Sequence, residues 1–376
     1  MKILHLYGAD QDQGGIFSVL RNLATASAPL SWRHIVLVNE RFQELRTPAL
    51  EYRYSRHLLD ESASHVRLLW SALRAQRELF RLLEAERFDV VHAHSRGGLA
   101  ALLLALGRWR RPVAFTNHTY ARRRWLYRWA AGRPGMFTIV LTGAMSEYYG
   151  LTPDEDRIRV ISDCCSDVLF TESVHQTRSS GAAEELIRLT GLGSLVRWKN
   201  WQLIPAALAL LPTAERQRFR VKIIGPTLNT QASRDFEAEL RATIHQHGLD
   251  KQIELAGSST EVVRELRQAD WLIHPALNEP CSVAVMEALA LGLPVLAARS
   301  GGTVEIVRHG ETGLLYSPNT PAALADRLRE VLTAPPRLLP PEAIRESVRA
   351  RSASGVLPRY TELYGRLCGQ PGRPTT

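Results

Sequence analysis

The feature that most constrains this chain is an alternation that runs through it twice. Short apolar stretches are followed by stretches with apolar residues at helical spacing, first over residues 2–161 and again over 189–332. Apolar runs without period-two patterning belong to strands buried on both faces, which parallel sheets covered by crossover helices supply. Two such series imply two doubly wound α/β domains. At 376 residues the chain lies where single cores split into domains. Residues 166–186 turn polar and small, as a linker does. The expected division is an N-terminal domain over 1–168, a linker over 169–187, a C-terminal domain over 188–350, and a closing helix and tail over 351–376 that return to the N-terminal domain.

Composition narrows the function classes. A content of 45% hydrophobic and 23% charged residues is that of a globular protein. No apolar run reaches the ~18 residues of a spanning helix. The opening Met-Lys-Ile-Leu-His-Leu-Tyr-Gly reads as a strand rather than a signal peptide, so a cytoplasmic location is expected. Cys164, Cys165, Cys281 and Cys368 lack metal-ligand spacing, and neighbouring cysteines rarely pair; no disulfide, structural metal or cofactor is expected. A net charge of +9 points to an anionic partner: a nucleotide, a phospholipid surface or an acidic saccharide. No nucleic-acid module signature or internal repeat is present.

In the N-terminal half, a strand over residues 2–7 leads through Gly14 and Gly15 into a helix over 16–26, a geometry that brings backbone close to phosphate but serves equally as a tight turn. Residues 64–86 form a long amphipathic helix whose Val66, Leu69, Trp70, Leu73, Phe80 and Leu83 are expected in the core. Strands over 88–94 and 112–117 end at His94 and His118, where open α/β sheets bind ligands. One such histidine is usually a hydrogen-bonded core or rim residue; two together make a site candidate. Arg122, Arg123, Arg124 and Trp125 open a basic, aromatic segment. A solvated helix face explains it as well as a surface for anionic membrane lipid or an acidic acceptor. Asp154-Glu155-Asp156 follows Thr152-Pro153 and reads as a capped turn or polar loop, so no metal is assigned to it.

The densest signal lies in residues 278–287. Glu279 and Glu287 stand eight positions apart around a turn that opens a helix, with Pro280 resisting helix entry and Ser282 suited to cap it. Gly292 and Pro294 end it. Unpaired backbone N–H groups at the helix start face the loop, giving an anion site flanked by acceptor carboxylates. A glutamate near a helix start ordinarily serves the dipole or a solvated face. Glu287, however, sits among Val283, Val285, Met286 and Leu289, and buried glutamate is rare without a partner.

With its neighbours, this text resembles the retaining glycosyltransferases of family 4, which have the two-domain GT-B fold. The matching segments are Val-Lys-Ile-Ile-Gly225, Gly257, residues 269–275 (Ala-Asp-Trp-Leu-Ile-His-Pro), Glu279-(seven residues)-Glu287, residues 301–305 and 310–315. Gly14-Gly15, the two histidine strand ends and residues 360–364 fit more loosely. The resemblance implies two Rossmann-like domains facing across a cleft. It implies that Glu279 holds the donor-sugar hydroxyls, Glu287 the ribose hydroxyls, the N–H groups of Cys281, Ser282 and Val283 the diphosphate, and Lys199 the same diphosphate. It places His118 near the reacting face of the sugar, Gly15 near phosphates and acceptor, and Gly257 and Ser258 near the base. Ser194 stands where the family carries an arginine, with Arg197 nearby to replace that charge, and Asp163-Cys164 stands for an Asn-Gly turn. The expected activity is retaining, metal-independent transfer of a hexose-like sugar from a nucleotide-sugar donor to a glycan or lipid-linked acceptor in cell-surface polysaccharide or glycolipid synthesis, at most peripheral to the membrane. The alternatives are a nucleotide-sugar epimerase or hydrolase, or a silent nucleotide-sugar-binding scaffold at the membrane.

Overall fold

The structure, a computed structural model, describes residues 1–12, 14–43, 49–61, 64–106, 109, 111–154, 156–174, 186–333 and 336–369. In chain order its elements are β1 (Lys2–Leu6), α1 (Gly15–Ala26), β2 (Arg33–Asn39), β3 (Glu51–Ser55), α2 (His65–Ala85), β4 (Val90–Ala93), α3 (Arg96–Ala105), β5 (Val113–Asn117), α4 (Arg124–Ala131), β6 (Met136–Val140), α5 (Gly143–Tyr149) and β7 (Ile158–Val160). There follow β8 (Ile187–Leu192), α6 (Leu203–Ala209), α7 (Thr213–Arg216), β9 (Phe219–Ile224), α8 (Gln231–Gln246), β10 (Ile253–Gly257), α9 (Val262–Arg267), β11 (Trp271–His274), α10 (Val283–Ala290), β12 (Val295–Ala298), β13 (Gly313–Tyr316), α11 (Pro321–Thr333), α12 (Pro341–Glu346) and α13 (Ala353–Leu367).

Two compact units result, one of residues 1–164 and 351–376, the other of 165–350. The first boundary therefore precedes the 168 read from sequence, and most of the expected linker lies outside the described residues. Unit one is a seven-stranded sheet in the order β3-β2-β1-β4-β5-β6-β7; unit two is six-stranded, β10-β9-β8-β11-β12-β13. Every pairing is parallel. Strands such as β1, β4 and β12 are buried along nearly their whole length because helices cover both faces. Helix α13 belongs to unit one and packs on α1.

Three local features stand out. Strand β3, Glu-Tyr-Arg-Tyr-Ser, is an edge strand without an apolar run and gave no sequence signal. Residues 301–305 form a 3₁₀ turn. Asp154 accepts from the backbone N–H groups of Asp156, Arg157 and Ile158, which caps the turn before β7 and lowers its pKa; Glu155 lies outside the described residues.

The largest correction concerns α2. Its buried residues are Leu68, Ala72, Ala75 and Leu79, on the face that meets α3. Val66, Leu69, Trp70 and Leu73, expected in the core, are exposed, Trp70 at 59%. Amphipathicity located two faces, and the small-residue face is the one that lets helices approach closely. Leu79→Ala is thus expected to lower stability by ~2–5 kcal/mol, and Trp70→Ser by no more than ~0.5 kcal/mol, in urea unfolding. Equal losses would mean that the wrong face has been placed inward.

Candidate active site

In doubly wound sheets ligands bind beyond the carboxyl ends of the strands, where the strand order reverses. In unit two that point lies between β8 and β11. The segment after β8 carries Lys199 and the segment after β11 carries Glu279, so residues eighty positions apart in sequence become neighbours. The Lys199 turn is strapped to the β11 loop by backbone and side chain. Leu277 N–H donates to Trp198 O at 2.8 Å, and the Asn200 and Asn319 side-chain amides both donate to Pro275 O, at 3.2 and 3.0 Å.

Lys199 Nζ lies 2.7 Å from Glu279 Oε2, and His274 Nε2 lies 3.3 Å from the same oxygen. Glu279 and His274 are buried. Burial opposes the charge on Glu279, but the Lys199 ammonium and the His274 ring outweigh it and hold its pKa at about 2. Burial depresses the His274 pKa, so that ring is neutral. Its Nδ1 is buried with no hydrogen-bond partner among the described residues. Two glycines make the arrangement possible. At Gly193 a Cβ would come within 3.1 Å of the Lys199 side chain. At Gly301, with φ of +53°, it would come within 2.3 Å of the Glu279 carbonyl.

Ser282 caps α10 by accepting from Val285 N–H, so the helix starts where the sequence suggests. Cys281 and Ser282 are buried and Val283 is half-buried at this turn. Glu287, one turn further, is partly buried and makes no hydrogen bond or ion pair among the described residues. Burial with nothing to offset it raises its pKa to about 7. The two carboxyls of one motif are thus held differently, one locked as an anion by its cation and the other pushed by burial towards its protonated form.

Gly257, Ser258 and Arg197, the other expected donor residues, also lie in unit two. Gly257, φ +70°, ends β10, and its carbonyl accepts from Gly225 N–H at 2.8 Å; Ser258 beside it is exposed. Arg197 shares the turn of Lys199, yet its guanidinium is engaged by Glu239 of α8 at 2.6 Å and lies over Phe236. The side chain proposed to replace the missing arginine is therefore committed to a surface ion pair.

In unit one, Gly15 starts α1 after Gly14, whose φ is +96°. His94 does not form an acceptor surface: its ring is buried and hydrogen-bonded to His5 at 2.9 Å. His118 Nε2 lies 3.4 Å from His94 Nδ1, and His118 Nδ1 lies 3.6 Å from Asp163 Oδ1. Arg122, Arg123, Arg124 and Trp125 are exposed at the start of α4. Three cations there oppose the helix dipole, so they do not serve helix stability. His274, Asn200, Asn319 and Asp163 were missed by sequence reasoning. A histidine closing an apolar strand was the available signal for the first, and the departure from the family's Asn-Gly turn was the signal for Asp163; nothing marked the two asparagines for this role.

Replacing Lys199 by Met leaves Glu279 buried without its cation, which costs ~3–5 kcal/mol in such pairs. A depressed carboxylate pKa contributes stability that is complete above the unfolded value of 4.5 and lost as pH falls through about 2. Without the lysine, burial raises the Glu279 pKa, and protonation relieves the penalty in acid. Urea unfolding should therefore show a large loss for Lys199→Met at pH 7 and a smaller one at pH 4. A loss independent of pH would mean that the pair is not what holds the carboxylate ionised.

Comparison with known proteins agrees with this architecture. Residues 175–350 match the family model described as glycosyl transferases group 1, and residues 13–164 the model described as glycosyltransferase family 4. A D-inositol 3-phosphate glycosyltransferase of Corynebacterium efficiens is 30% identical over 276 residues, covering 65% of this chain and 63% of that protein, just under two thirds of its length. Sucrose-phosphate synthase of Thermosynechococcus elongatus superposes with a TM-score of 0.82 at 17% identity, covering 98% of this chain and 100% of the other. Anabaena HepE in complex with UDP and glucose gives 0.75 at 17%, covering 97% and 100%. At those identities the structural likeness concerns the fold, and that fold is GT-B, two Rossmann-like parallel-sheet domains. The chain belongs to the group 1 glycosyltransferases, with a family 4 N-terminal domain.

Proposed function

We propose that the protein is a retaining glycosyltransferase that takes a sugar from a nucleotide-diphosphate sugar without a metal and passes it to a glycan or lipid-linked acceptor. The observation that carries the reading is the pairing of a locked anion, Glu279, with an uncommitted carboxyl, Glu287, across the capped start of α10. A ribose diol needs an acceptor that is free, and Glu287 is one. Sugar hydroxyls need an acceptor of fixed charge and position, and Glu279 is one. Lys199 spends one N–H on Glu279 and keeps two for a diphosphate, whose growing charge the ammonium and the helix-start amides stabilise as the glycosidic bond breaks. Both His118 ring nitrogens face protein groups, so the leaving phosphate is the better acceptor for the proton of the attacking hydroxyl. The UDP in the HepE structure supports the donor class. The name of the Corynebacterium relative supports a phosphorylated acceptor, which suits the net charge.

A lipid-linked acceptor would bring the chain to an anionic membrane face. No helix among the described residues is long and apolar enough to cross a membrane. The exposed α2 stripe, framed by exposed Arg67, Arg74, Arg77 and Arg81, and the α4 start with exposed Trp125 and Trp129, have the apolar-plus-basic make-up of interfacial surfaces.

Three measurements test these readings. Nucleoside diphosphates should raise the melting temperature, and nucleotide sugars should yield a product with the donor's anomeric configuration; turnover without acceptor would favour a hydrolase, and no binding at all would remove the donor site. Because ribose hydroxyls stabilise the ionised form of Glu287, diphosphate binding at pH 7 should release about half a proton more in the wild type than in Glu287→Gln, given a pKa of about 7. Calorimetry in buffers of different ionisation enthalpy reads that difference, and identical proton release would exclude Glu287 from the ribose. Anionic vesicles should sediment the wild type, and Trp70→Glu with Leu73→Glu should weaken this about tenfold or more, each lost apolar contact being worth over ~1 kcal/mol; unchanged sedimentation would clear α2 of a membrane role.

A further inference from the structure

Five histidines of unit one lie on or just beyond four adjacent strands: His34 near the start of β2, His5 on β1, His92 on β4, with His94 and His118 just after β4 and β5. Every ring nitrogen among them but His118 Nδ1 is hydrogen-bonded. His92 bonds Tyr364 of α13 and Thr116 of β5, both at 2.8 Å. The other four make a row with one direction. Ser27 Oγ meets His34 Nε2 at 2.9 Å, His34 Nδ1 meets His5 Nε2 at 2.9 Å, and His5 Nδ1 meets His94 Nε2 at 2.9 Å. His94 Nδ1 then meets His118 Nε2 at 3.4 Å, and His118 Nδ1 faces Asp163 Oδ1 at 3.6 Å.

Each link joins Nδ1 of one ring to Nε2 of the next, and a neutral imidazole carries one hydrogen for its two nitrogens. Burial pushes His5 and His94 well below 6.5, and His34 to about 4, so these rings are neutral at pH 7. A row of neutral rings joined in this way has two self-consistent states, all Nδ1–H or all Nε2–H, and any mixture leaves a clash of hydrogens or of lone pairs. The ends choose between them. Asp163 is a buried carboxylate whose Oδ1 has no hydrogen-bond partner among the described residues, and it can only accept. The all-Nε2–H state would aim the His118 Nδ1 lone pair at that oxygen. At the other end the Ser27 hydroxyl serves either state, donating to His34 Nε2 in one or to Ala24 O, 3.2 Å away, in the other.

We infer that Ser27, His34, His5 and His94 are positioning residues that form a tautomer relay, selected by Asp163, which fixes His118 as its Nδ1–H form. The relay gives buried histidines of β1 and β2 a role at the end of β5, four strands along the sheet from β3, where His118 sits. His5, His92 and His94 also bring ring nitrogens within 4.8 Å of one another, the grouping a metal ion would need. The hydrogen bonds already use every one of those nitrogens, so the relay explains the cluster without a ligand. Any consequence for sugar transfer rests on the proposed function and on the place beside the sugar that the family resemblance implies for His118.

Histidine-selective ¹⁵N labelling of the full chain, with long-range proton–nitrogen spectra of its twelve histidines assigned by single substitutions, reads the tautomer of each ring directly. The wild type at pH 7 should show His34, His5 and His94 all as the Nδ1–H tautomer, with His118 carrying its hydrogen at Nδ1 and none at Nε2. A mixture, a charged ring among His34, His5 and His94, or stoichiometric metal in the purified protein would overturn the relay. In Asp163→Asn the amide can donate where the carboxylate could not, so the row should reverse, with His34 changing to Nε2–H along with His118. A change at His118 with none at His34 would reduce the row to separate local bonds. If that variant does not fold, the wild-type spectrum still decides. The spectra stand whether or not the protein transfers sugar: a relay that reverses while turnover stays constant would keep the relay and remove His118 from the reaction.

Discussion

Burying a glutamate against a half-buried lysine is the constraint to which the C-terminal unit is fitted. Neither charge tolerates the interior alone, and removing one partner of such a pair costs far more than the pair contributes. Lys199 and Glu279 can meet only because β8 and β11 are neighbours and each ends at the same sheet edge. The bare Gly193 and Gly301, the asparagine straps on Pro275 and the neutral His274 all serve to keep that contact in one geometry. A fixed anion results, in a place where a mobile one would be useless for holding hydroxyls.

Unit one solves a similar problem differently. It too places polar groups where its strand order reverses, around β1 and β4, but there it avoids charge. Neutral imidazoles, each both donor and acceptor, satisfy one another in sequence, and a single carboxylate lies at the end. Linked dipoles polarise each other and raise the cost of a wrong arrangement. One unit therefore stores its specificity in an ion pair and the other in hydrogen-bond direction.

What could be read from the sequence followed from local pattern. Strand-and-helix alternation gave both parallel sheets, and the Glu279–Glu287 spacing with Ser282 gave the start of α10, because those signals lie within one or two turns of chain. Faces were harder. The apolar stripe of α2 was assigned inward, yet the interior takes its alanine-rich side, and only α3 reveals that. Strand β3 escaped because an edge strand needs no apolar run. Arg197 was assigned to the phosphates because its partner Glu239 lies 42 positions away on another helix. The histidine row was invisible for the same reason: its members come from four strands and the end of a helix, and its direction exists only once their atoms are placed.

One feature of connectivity bears on how the protein is made. Unit two interrupts unit one, and α13, which packs on α1 and supplies the Tyr364 hydroxyl to His92, lies beyond that interruption. At ribosomal rates of ~5–20 residues per second the 186 residues of unit two occupy about 10–40 s. During that interval the sheet of unit one exists without its last helix, its histidine face uncovered. The second unit, continuous in the chain, has everything needed to close its own core first. Completion of the first unit thus waits on the second, because the helix that covers it follows unit two in the chain.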